Sequence, residues 1–99
     1  MLTIRTSVDI RHAAATGHYC ASALATAYDC TTDDAESVAT AAGITLPSAK
    51  QAAQNRVTYW DDCLSAQRAK PRRFSHRYIE RTERELAAAE QHLAEVSAV

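Results

Sequence analysis

Residues 35–54, AESVATAAGITLPSAKQAAQ, constrain the chain most, because three separate local signals place a sharp turn between two helical stretches there. Gly43 follows an apolar-periodic run and stands where a helix C-terminus takes a left-handed residue. Thr45 can cap the next helix. Pro47 falls in the first turn of that helix, where its missing N–H costs nothing and its fixed φ is already helical. The spacing predicts one helix over 34–42 and another from residue 46.

The rest of the chain can be placed around that corner. Leu2 and Ile4 alternate with Thr3 and Arg5, which fits either a short strand or an extended N-terminal arm. Thr6 and Asp9 form a cap pair for a first helix over 7–28, with Ile10, Ala14, Gly17, Ala21, Leu24 and Tyr28 as its buried stripe. Thr31, Thr32 and Asp33 compete to cap the second helix, and Asp34 and Glu36 sit in its first turn, where the helix dipole favours negative charge. Leu46, Ala49, Ala53, Val57, Trp60 and Leu64 share one face of a third helix over 46–69. The β-prone run 57–60 leaves a kink or an early end open. Lys70-Pro71 closes that helix. A last helix over 73–97 repeats Ile79, Thr82, Leu86, Ala89, Leu93 and Val96 by threes and fours, a seam that suits a bundle or a dimeric coiled coil equally.

These features define an all-α, four-helix bundle-like single domain with a helix-turn-helix corner. Its core is expected to be thin. Of the 99 residues 21 are alanine, while Phe and Trp occur once each. Alanine favours helix but removes little apolar surface from water, so a homodimer is expected. No apolar run approaches the ~18 residues of a membrane span, and the start lacks the order of a signal peptide, which predicts a cytoplasmic protein with no membrane partner. Cys20, Cys30 and Cys63 lack C-x-x-C spacing and read as reduced thiols.

The net charge of −1 conceals a segregation. In the first 44 residues Arg5 and Arg11 face five acidic side chains, whereas residues 68–84 hold seven basic residues against Glu80 and Glu83. Lys70, Arg73, Arg77, Arg81 and Arg84 succeed one another by threes and fours, so the helical ones lie along one face, roughly opposite the apolar seam. Such a stripe can contact successive phosphates or an acidic protein surface. Phe74 and Tyr78 stand near it and can stack on bases or anchor the helix start.

The 35–54 stretch resembles the helix-turn-helix unit of bacterial and phage repressors and regulators. Ala39 matches the small residue where the two helices cross, Gly43 the turn glycine, Val38, Ala42 and Ile44 the flanking apolar positions, Ala49 and Ala52 the core of the second helix, and Thr45 its cap. Leu46 and Pro47 depart from the pattern, since those positions would face the groove. The resemblance implies a DNA-binding regulator whose second helix enters the major groove. Its readers would be Ser48, Lys50, Gln51 and Gln54, with Asn55 behind them. Gln and Asn can pair with adenine, and Lys with guanine.

The competing expectation is a non-enzymatic helical interaction module, such as an adaptor, an antitoxin-like component or a phage-type inhibitor of a larger complex. The four histidines are scattered, His18 and Cys20 point to different helix faces, and two glycines cannot build a phosphate loop. Neither a cofactor, a metal, a small-molecule substrate nor an enzymatic reaction is expected. The partner is double-stranded DNA or an acidic protein surface.

Overall fold

The computed structural model describes residues 2–70 and 72–98, and every regular element among them is an α-helix. The helices are α1 (Ile4–Ala15), α2 (Ala21–Ala27), α3 (Thr32–Ala41), α4 (Ala49–Arg68) and α5 (His76–Ser97). The all-α expectation holds, with five helices among the described residues where four were predicted.

The extra helix arises at Gly17. Thr16 caps α1 and its hydroxyl donates back to the Ala13 carbonyl at 2.7 Å, while Gly17 takes φ 75°, a conformation that costs a residue without Cβ nothing. Cys20 then adopts an extended backbone and α2 begins. The predicted helix over 7–28 is thus two helices. Its stripe still faces inward, because the chain turns back on itself: Ile10, Ala14 and Leu24 are buried, and Gly17, Ala21 and Tyr28 are half-buried.

The N-terminus is neither strand nor arm over its described part. Thr3, not Thr6, is the cap, its hydroxyl accepting from the Thr6 amide at 3.1 Å, and helix starts at Ile4. Met1 lies outside the described residues, and so does Pro71, expected to close the third predicted helix. At the end of α2, Asp29 takes φ 51° and the Cys30 amide donates to the Ala25 carbonyl at 3.0 Å, a left-handed stop of the kind Asp tolerates. Of the three cap candidates Thr31 caps α3, accepting from the Asp34 amide, and the first turn holds Asp34 as expected together with Asp33, while Glu36 lies beyond it.

The chain divides into two compact units, Met1–Ala52 and Ala53–Val99. In the first, α3 packs on both α1 and α2 around Ile10, Ala14, Leu24, Ala35 and Ala39. Ile10 and Leu24 are its largest fully buried side chains, so truncating either to Ala removes about 2–5 kcal/mol. In the second unit the buried residues include Ala53, Leu64, Thr82 and Ala89, with Gln67. Thr82 and Ala89 lie on the predicted seam of α5, and Ile79, Leu86, Leu93 and Val96 beside them are half-buried. The run 57–60 does not end α4, which continues to Arg68. Ser75 caps α5, so the helix begins three residues later than predicted, at His76.

Candidate nucleic-acid interface

Gly43 ends α3 as its position requires. With φ 73°, its amide donates to the Thr40 carbonyl at 3.0 Å, and the Ile44 amide donates to the Ala39 carbonyl at 2.8 Å. These two bonds make a complete Schellman stop, after which Ile44 packs on the core of the first unit. The corner then differs from the expectation. Residues 42–48 are non-helical, seven where a helix-turn-helix uses three or four. Leu46 packs against the Ile10–Leu24 core. The cap of α4 is Ser48 rather than Thr45, its hydroxyl accepting from the Gln51 amide at 3.1 Å. The helix predicted from 46 therefore begins at Ala49. Ala39 and Ala52 are buried, as the resemblance implies, whereas Ala42 and Ala49 are exposed.

These corrections move the side chains expected to read bases. Lys50, Gln51 and Gln54 are exposed on the first two turns of α4, and Asn55 is half-buried. The Ser48 hydroxyl is engaged in capping. Leu46, half-buried, packs on the core and does not stand out towards a groove as a reading side chain would.

The basic stripe divides in two. Lys70 and Arg73 lie in the turn before α5, where with Ala69 and Arg72 they line an open hollow of about 390 Å³. Arg77, Arg81 and Arg84 are exposed on α5. At about 100° per residue they fall within roughly 60° of one another, and they span about 10 Å along the axis. Two of the carboxylates on this helix, Glu80 and Glu83, are engaged by other residues, while Glu85 lies four residues after Arg81. Glu80 Oε1 lies 2.9 Å from His76 Nε2, and Glu83 Oε1 lies 3.8 Å from Arg68 of α4. Neither of these contacts uses Arg77, Arg81 or Arg84.

Two aromatic pairs belong to the same unit. Phe74 and Tyr78 stack with centroids 5.6 Å apart, and Tyr59 meets Trp60 edge-on at 5.0 Å. Sequence spacing does not single out Tyr59, which lies outside the apolar repeat of α4. Its hydroxyl is held above the ordinary phenol range by negative charge and a hydrogen bond at Cys63, then by burial, then by Tyr78.

Among the described residues no three His, Cys, Asp or Glu side chains converge as a metal site would need, and no helix is long and apolar enough to cross a membrane. No family model, curated protein or solved structure matches the chain.

Proposed function

We propose that this chain is a small DNA-binding regulator that grips the phosphate backbone through the arginine face of α5. The observation that carries this reading is the exposed alignment of Arg77, Arg81 and Arg84, with Glu80 and Glu83 engaged by His76 and Arg68. Three guanidiniums over about 10 Å suit neighbouring phosphates, and each is a rigid fork that bonds phosphate oxygens in pairs. Lys70 and Arg73 extend the positive region past the start of α5. On α4, Lys50 and Gln54 are the exposed side chains suited to base edges, Lys towards guanine and Gln towards adenine.

The test is binding of duplex DNA by the purified protein. Affinity should fall steeply as salt rises, and Lys50→Ala or Gln54→Ala should alter sequence preference more than Arg77→Ala does. Absence of any shift of mixed-sequence DNA at about 50 mM salt would sink the proposal.

One observation favours a second reading, a module that docks a protein, a second copy of itself included. Beside α1 and α3 lies an open, mainly apolar hollow of about 450 Å³, lined by Leu2, Val8, Val38 and Ile4, and Ile4 is 87% exposed. An isoleucine left in water next to an apolar hollow suits a docking surface. Sedimentation that stays monomeric at high concentration, with no stoichiometric protein captured by pull-down, would remove this reading.

A further inference from the structure

The apolar hollow beside α1 and α3 has a neighbour of opposite character. Asp33, Glu36 and Thr40 line a second open hollow of about 520 Å³, and Ser37 and Ala41 line both. The outer strip of α3 is therefore a ridge of small side chains, with an apolar hollow on one side and an acidic one on the other. Arg11 lines the apolar hollow together with the exposed Ile4. Arg11, Asp33 and Glu36 are all exposed, and among the described residues none of them is in an ion pair within the chain.

A second copy of the chain fits this surface, because the surface carries both halves of a charge pair. When α3 packs antiparallel on its copy about the midpoint of Ser37 and Ala41, each Ser37 lies opposite the other copy's Ala41, and each Glu36 opposite the other copy's Ala42. Ala42 and Arg11 line the same hollow, so Glu36 of each copy arrives in the hollow where the other copy's guanidinium has no partner. A parallel pairing would set Glu36 on Glu36. Small side chains at the crossing let the two helices approach closely. A foreign apolar segment would leave these charges unanswered, and a basic one would face Arg11 with a like charge. The Ile10–Leu24 core has few large side chains, so further apolar burial is what this unit lacks. We propose that α1 and α3 form a two-fold interface between two copies of the chain, with Ile4 in its apolar part and reciprocal Arg11–Glu36 pairs at its edge. The interface rests on the docking reading of the hollow and names its occupant.

Sedimentation velocity of the full chain tests it, with a shift from monomer to dimer expected as the concentration rises from about 1 to about 500 μM. Ile4→Ser and Arg11→Glu should each weaken the dimer about ten-fold or more, and Arg11→Glu/Glu36→Arg should restore it to within about three-fold of the unaltered chain. Circular dichroism shows whether each variant is folded. Ile4→Ser alters a side chain already in water, and if Arg11→Glu does not fold, Arg11→Gln takes its place with the same expected sign. A chain that stays monomeric over the whole range overturns the interface. The docking reading then stands only if a stoichiometric protein is retained by the unaltered chain and lost by Ile4→Ser. A dimer indifferent to Ile4→Ser and Arg11→Glu also overturns the interface, since the copies would then meet elsewhere. A dimer that the charge exchange does not restore overturns the reciprocal pairing.

Discussion

His76 engages Glu80 across one turn of α5, Nε2 to Oε1 at 2.9 Å, and so holds that carboxylate on a partner other than Arg84. Glu80 lies four residues before Arg84 and three after Arg77, within reach of both on a helix surface. Replacing His76 with Ala frees the carboxylate to turn towards the arginines. DNA affinity at low salt should then fall about two-fold, whereas Glu80→Gln should raise it about two-fold. Anisotropy titrations of the two variants check the opposite signs.

Leu46 separates a groove-facing corner from a core-facing one. It packs on the Ile10–Leu24 core, so Leu46→Ala should lower stability by about 1–3 kcal/mol. Leu46→Asp should cost more, because it also places a carboxylate against apolar side chains. Urea denaturation measures both. A change in DNA preference with unaltered stability would contradict the observed packing.

Gly43 carries a backbone demand and no spatial one. A Cβ there meets nothing within 4 Å, but φ is 73°. Gly43→Ala should therefore destabilise by about 1 kcal/mol through strain alone, and Gly43→Asn by less, since Asn tolerates the left-handed region. Thermal melting of the pair gives the ordering.

Cys20 should ionise more readily than an unstructured thiol. Its partial burial opposes the thiolate, but the Ser22 hydroxyl, 3.2 Å from the sulfur, and the backbone N–H groups of Ala23, Cys20 and Ser22 outweigh it and lower the pKa. A lowered folded-state pKa means that the thiolate favours the fold. That contribution is full above the unfolded thiol's pKa and is lost as pH falls through the folded one. Tyr59 has the opposite sign: its raised pKa favours the fold below the ordinary phenol range, and the benefit disappears as pH rises through the folded value. Alkylation of Cys20 against pH, in native protein and in urea, should show the lower midpoint in the native state.

Local signals were legible where one residue decides the backbone. Gly43 ended α3 where its lack of Cβ placed it, and the three-four repeat of α5 marked the side that carries Thr82 and Ala89. Gly17 was hidden by an alanine-rich surround, which favours helix strongly enough to make 7–28 read as continuous. At the corner, Pro47 and Ser48 both offer a helix start, and the choice fell to Ser48 because Leu46 is drawn onto the core and holds residues 44–47 out of the helix. The arginine face was legible from spacing. The engagement of Glu80 and Glu83 elsewhere was not, since that depends on Arg68 of α4 and on which neighbour each carboxylate prefers.

The arginine face is tested most directly by the salt dependence of duplex binding, measured for the unaltered chain and for Arg77→Gln/Arg81→Gln/Arg84→Gln. The expected result is a linear fall of log affinity with log salt, and a slope smaller by about 2–3 in the triple variant, near 0.9 for each phosphate contact removed. Equal slopes and affinities for the two proteins would contradict a phosphate grip by these arginines.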